Sequence, residues 1–175
     1  ASRRRLQTDS RFYNAGVAYD GSLEDGGIEI KTPPANGDLF AAWVSALSYS
    51  FLSNGFRATE CCGLHIHADA RDLTCEHLRV LVKLVRAFEP LLYAGLPRRR
   101  RTGEWSRPIG LTLPDLRIPW YTHSDVQKQW TQRKNMGGIR YHGLNLQSVS
   151  VHKTVEFRYH SGTTDSVKVL AYARI

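Results

Sequence analysis

Residues 62–69 read CGLHIHAD, an alternation of period two in which Leu64, Ile66 and Ala68 fall on one side of an extended chain and His65, His67 and Asp69 on the other. A strand with one apolar and one ionisable face suits an antiparallel sheet covered on one side only. Residues 148–160 (SVSVHKTVEFRYH) repeat the pattern. Val149, Val151, Val155, Phe157 and Tyr159 make an apolar face, with His152, Thr154, Glu156, Arg158 and His160 opposite. Upstream of that segment, residues 138–147 (GIRYHGLNLQ) also read as extended.

Working outward, residues 12–22 (FYNAGVAYDGS) predict a strand closing in the turn Asp20-Gly21-Ser22. Residues 27–32 (GIEIKT) predict a short strand stopped by Pro33-Pro34, since proline cannot continue a ladder. Asp38 is placed to cap a helix on the stripe Leu39, Ala42, Trp43, Ala46, Leu47 and Phe51, with Asn54-Gly55 as its stop. A second helix is expected from Thr74 to Phe88 on Leu78, Leu81, Val82 and Val85, ended or kinked at Pro90. Residues 95–121 are rich in Arg, Pro and Gly and lack periodicity, as a functional loop does. A short helix is expected to start at Ser124 and carry Val126 and Trp130. The order strand, strand, helix, strand, helix, loop, strand, strand argues an α+β fold with a curved antiparallel sheet. Helices would pack on one face of it, and the other would carry polar chemistry.

With 175 residues, the chain suits a single domain over 1–175 with a real core. Apolar content of 42% and charged content of 23% exclude wholesale disorder. No apolar run approaches the ~20 residues that span a bilayer, and residues 1–8 are basic without the apolar core of a signal peptide. Cys61, Cys62 and Cys75 make neither spaced zinc pairs nor a disulfide framework, so a reducing, cytoplasmic setting is expected. The net charge is +8, with basic clusters at Arg3–Arg5 and Arg98–Arg101. Such clusters can bind nucleic acid, line a pocket for an anionic substrate, or stand solvated. Nucleic acid is disfavoured as a partner, because no helix–turn–helix, zinc finger or stacking motif accompanies the charge.

Three predicted strands set ionisable groups on one face: Glu29 with Lys31, His65 with His67, Glu156 with Arg158. Singly, each pair suits solvent. Together on one concave surface, carboxylates and an imidazole hold a divalent cation, with an arginine beside it for phosphate; Mg²⁺ prefers oxygen and Mn²⁺ tolerates nitrogen better. His-x-His alone also occurs in cupins and metal-dependent hydrolases. A cupin places Glu a few residues beyond the second His, whereas the next one here is Glu76, and a barrel hydrolase needs about 250 residues.

The combination is more specific. Cys62-Gly63-Leu64-His65-Ile66-His67 resembles the Gly-x-His-x-His strand of glutamine synthetase and the CGxHxH strand of the amidoligases. Asp20-Gly21-Ser22, Gly27-Ile28-Glu29-Ile30 and Pro33-Pro34 resemble that family's DGS…GxE(I/L)xSPP stretch, with Thr32 where Ser is commoner. Residues 140–146 (RYHGLNL) resemble its RYxGLNL segment, and residues 154–163 (TVEFRYHSGT) its TxEFRxxxGT strand. Four motifs in matching order span residues 20–165. The resemblance implies a glutamine synthetase-like catalytic domain that joins a carboxylate to an amine at the expense of ATP, through an acyl phosphate.

By the same resemblance, Glu29, His65 and Glu156 are metal ligands, and Asp20 stands where the superfamily often has another. His67 contacts nucleotide phosphates, and Arg158 stabilises the transferring phosphoryl group. Arg140 is a candidate phosphate contact and Asn145 a candidate nucleotide or substrate contact. Arg98–Arg101 would sit in a loop over substrate, most of them solvated, and His152 and His160 would be peripheral. ATP and Mg²⁺ or Mn²⁺ are the implied cofactors; small-molecule or peptide carboxylates and amines are the implied substrates. The family's opening Glu-x-Glu strand has no counterpart in residues 1–19, which contain no glutamate, so either it lies upstream of Ala1, the expectation favoured by the absence of an initiator Met, or a metal site has been lost; the C-terminal helices of relatives are expected beyond Ile175. Two alternatives stay open: a metal-dependent hydrolase using His65, His67 and Glu156, and a non-catalytic binding or structural descendant acting through its basic surface.

Overall fold

Pro33 and Pro34 do end the second strand, and Thr74 opens a helix with a reciprocal cap, so the local signals set much of the element order. The computed structural model describes residues 16–20, 23, 27–103, 105–109 and 141–174. Its strands are β1 (Gly16–Tyr19), β2 (Ile28–Lys31), β3 (Ile66–Asp69), β4 (Leu144–Asn145) and β5 (Thr154–Phe157). Its helices are α1 (Gly37–Ser53), α2 (Cys75–Ala94), α3 (Arg98–Thr102), α4 (Gln147–His152) and α5 (Ser166–Tyr172). The fold is α+β with antiparallel pairing throughout the described ladders. The helix expected from Ser124 lies outside the described residues. No described helix is long and apolar enough to cross a membrane.

The chain divides into two compact units, Ala1–Cys62 with Gly162–Ile175, and Gly63–Ser161. In the first unit, β1 and β2 pair in a two-stranded sheet, Ala18 opposite Glu29 and Tyr19 opposite Ile28. Helix α1 buries Trp43, Val44 and Leu47, while Leu39, expected in its stripe, is exposed. Asn36 is the N-cap residue and Asp38 sits in the first turn, where its carboxylate complements the helix dipole without capping. Gly55 at φ +72° follows the helix end, a backbone that glycine adopts without strain. α1 packs with α5, and Ser48 Oγ donates to Thr164 O at 2.5 Å.

The second unit holds the sheet β3-β5-β4, with β5 in the centre. The described strands therefore form two sheets where the sequence reading anticipated one. The core of this unit includes Leu78, Val82, Leu144, Val149, Val155 and Tyr159. Helix α2 starts at Thr74, whose hydroxyl accepts from the His77 backbone while His77 Nδ1 accepts from the Thr74 N–H. It does not stop at Pro90 but runs on to Ala94. The lost hydrogen bond is outweighed because the turn around Pro90 buries Glu89 and Tyr93. Arg98–Thr102, expected as loop, is a short helix.

The largest departure is at residues 148–160. The first part of that segment belongs to α4, and only Thr154–Phe157 is strand. Asn145 Oδ1 accepts the Gln147 N–H at 3.0 Å and turns the chain into the helix. Lys153, at φ 59° and ψ 32°, ends it in the left-handed region, donating its N–H to Ser148 O. The valine alternation is real; its first half is read by a helix.

Candidate active site

Strand β5 is flanked on both sides, so one row of three residues crosses the sheet: His67 on β3 and Asn145 on β4 are each the register partner of Glu156 on β5. Such directly opposed residues share a face and lie close enough for their side chains to meet. Glu156 is 5% exposed, so its polar face is not a solvated one. A carboxylate at that depth requires donors. Asn145 Nδ2 donates to its Oε2 at 2.5 Å. Its Oε1 faces Arg158 Nη1 at 3.3 Å, His65 Nδ1 at 3.3 Å and His67 Nε2 at 3.7 Å.

Each partner arrives by a definite route. Arg158 is two residues beyond Glu156 and returns to the same face; its own N–H donates to Gly143 O at 2.7 Å. Its Nε is buried and finds no hydrogen-bond partner among the described residues. His65 precedes β3, in a segment held by the Gly63–Ser161 bridge and by the Leu64 N–H to His160 O at 3.0 Å. Gly63 leaves room there for two side-chain tips. A Cβ on it would lie 2.8 Å from Arg100 Nη2 and 3.0 Å from His65 Nε2. Arg100 reaches in from α3 and donates to Arg158 O at 2.7 Å and Tyr159 O at 3.2 Å.

The second unit thus brings together His65, His67, Asn145, Glu156 and Arg158. Arg140 lies outside the described residues. Glu29 and Asp20 belong to the first unit. Glu29 Oε2 pairs with Lys31 Nζ at 3.1 Å on the half-exposed face of β2, and Asp20 follows β1, accepting the Leu23 N–H at 3.1 Å on its backbone carbonyl. His152 meets the His67 ring edge to face at 5.8 Å, while His160 turns Nδ1 to Ser161 O at 2.6 Å. Asp69, on the ionisable face of β3, is taken by Arg71, whose side-chain hydrogen bonds hold its carboxyl down to about 2. Two side chains at the site, Ser148 and Thr154, carry no site signal in the sequence and are described below; Arg100, one of the run Arg98–Arg101 expected over substrate, instead bonds backbone carbonyls beneath the site.

Among the described residues, no three His, Cys, Asp or Glu side chains are grouped to hold a metal ion. The pair His65 Nδ1 and Glu156 Oε1 has the spacing of two adjacent ligands, since roughly 2.1 Å bonds in octahedral geometry set neighbours about 3 Å apart. One oxygen and one imidazole nitrogen suit Mg²⁺ less well than Mn²⁺. The pair fits as part of a cation site and not as a complete one.

A family model described as "Putative amidoligase enzyme" matches residues 4–175. No curated protein and no solved structure matches the chain.

Proposed function

The chain belongs to this amidoligase family, a family of ligase-type enzymes, and from that premise we propose that it is an ATP-dependent carboxylate–amine ligase working through an acyl phosphate. One observation carries the assignment of the site: a buried carboxylate, Glu156, is surrounded by an amide, a guanidinium and two imidazoles, and that guanidinium keeps an Nε–H with no protein acceptor among the described residues. A donor of this kind suits an anion that is delivered by substrate. Phosphoryl transfer asks for positioning and charge neutralisation more than for a covalent nucleophile.

In this reading Arg158 binds the phosphoryl oxygens through Nε and its free edge while Glu156 keeps the guanidinium in place. The substrate carboxylate takes the terminal phosphoryl group of ATP, ADP leaves, and the amine then attacks the acyl carbon with loss of phosphate. His67 donates to the nucleotide phosphates. His65 and Glu156 would hold a divalent ion, which when bound supplies neutralisation of phosphate charge. Glu29, Asp20, Asn145 and Arg140 enter through the resemblance alone, as further ligand or contact candidates.

The test is ADP release that requires a carboxylate, an amine and Mg²⁺ or Mn²⁺ together. Glu156→Gln keeps the shape of the side chain, and Arg158→Lys keeps the charge but removes the fork. Each should lower kcat/KM by 10²–10³, the effect of losing one preorganised donor at about 3–4 kcal/mol. Glu156→Ala is less informative, because stripping the partner from a buried guanidinium costs about 3–5 kcal/mol of stability. Turnover within about twofold of wild type in both conservative variants would remove the row from the chemistry.

A further inference from the structure

His67 stands opposite Glu156 and diagonal to Thr154, the residue two positions earlier on the same face of β5. Its imidazole spans the two. Nε2 faces the carboxylate at 3.7 Å, and Nδ1 meets Thr154 Oγ1 at 2.8 Å and Ser148 Oγ at 3.2 Å. The two hydroxyls also bond each other at 2.8 Å, which closes a three-membered ring of polar atoms on Nδ1. Ser148 is 3% exposed and comes from the first turn of α4; Lys153 in the left-handed region then brings Thr154 back beside it.

We propose that Ser148 and Thr154 are positioning residues for His67, fixing its ring so that the Nε2–H is presented beside Glu156. Each hydroxyl has one proton to give. With Nδ1 as acceptor, Thr154 donates to the ring, Ser148 donates to Thr154 oxygen, and Nε2–H points at an anion. With the proton on Nδ1 instead, a nitrogen lone pair would face the Glu156 carboxylate, an arrangement of two acceptors. The hydroxyl pair, by donating to Nδ1, thus supports the tautomer that the Glu156 carboxylate favours, the one that can donate to a carboxylate or a phosphate. The kinetic arm of the test rests on the ligase reading; the spectroscopic arm does not.

The experiment uses the full chain labelled with ¹⁵N, above the ordinary imidazole titration range, with His67→Gln to assign the ring signals. Wild type should show His67 in the Nε2–H form. Ser148→Ala with Thr154→Val should lose that single tautomer, and Thr154→Val alone serves if the double variant fails to fold by circular dichroism. In turnover, Thr154→Val should raise the KM for ATP about tenfold with a smaller change in kcat, and Thr154→Ser should restore it. An Nδ1–H ring in wild type, an unchanged tautomer in the variants, or equal behaviour of the Val and Ser variants would overturn the proposal. If wild type shows no ATP-dependent turnover, the ligase reading fails while the ring spectra still decide this one.

Discussion

Tyr159 is the largest fully buried side chain among the described residues. It is 1% exposed, its hydroxyl donates to Glu89 Oε1 at 2.9 Å, and its ring meets Tyr93 edge to face at 5.4 Å. Glu89 Oε1 also accepts the Ile109 N–H at 2.8 Å, so this buried carboxylate ties the helix to the sheet and to the segment after α3. The ring lies directly over Gly143, where an added Cβ would come within 2.0 Å of it. Gly143→Ala should therefore destabilise the protein by at least the roughly 1–3 kcal/mol typical of overpacking, read as a fall in the urea midpoint. An unchanged midpoint would mean that the Tyr159 ring can give way. The apolar half of this arrangement was legible: Tyr159 falls on the apolar face of its segment. Glu89 was not, because a glutamate on a helix reads as solvent-facing until its two donors, 70 and 20 residues away, are in place.

At the scale of the element, α4 and β5 show how one pattern can be read twice. The alternation over 148–160 predicts a continuous strand, yet the chain spends its first half as helix, led in by the turn that Asn145 Oδ1 makes with the Gln147 N–H and ended abruptly at Lys153. A residue with a side chain in the left-handed region is strained, by about 1 kcal/mol relative to glycine. Lys153→Gly should accordingly raise stability by several tenths to about 1 kcal/mol, seen as a higher Tm, since the turn geometry is already the one glycine prefers. A lower Tm would show that the flexibility gained by the unfolded chain outweighs the strain. The turn is also what sets Ser148 next to Thr154, so a site feature hung on a conformation that period-two counting cannot express. Element starts marked by chemistry fared better: Thr74 opens α2 and Pro33-Pro34 stop β2, each through a backbone donor gained or lost within a few residues.

For the molecule as a whole, pH is the simplest lever. His142 is 5% exposed, and burial pushes its imidazole below the usual range against the pull of the Arg107 carbonyl at 3.3 Å. The folded state thus keeps a neutral ring while the unfolded chain takes a proton below about 6.5. The group's contribution is complete above that value and is lost as pH falls from it toward the depressed folded value. Urea midpoints should drop between pH 7.5 and 5.5, and His142→Gln should flatten the drop; an equal slope in the variant would place the pH dependence elsewhere. The resemblance singled out His67, Asn145 and Glu156 one by one, whereas their alignment in one row and the pairing of the described strands into two sheets could not be read, since nothing in a strand's own sequence names its neighbour. That pairing has a temporal side. The contact from His67 to Thr154 spans 87 residues, so β3 emerges from the ribosome long before the strand it needs. Closing so long a loop is slow and yields nothing until it is complete. A nascent chain that ends before Thr154 carries both histidines with no carboxylate opposite them, and the row comes into being only once β5 has been made.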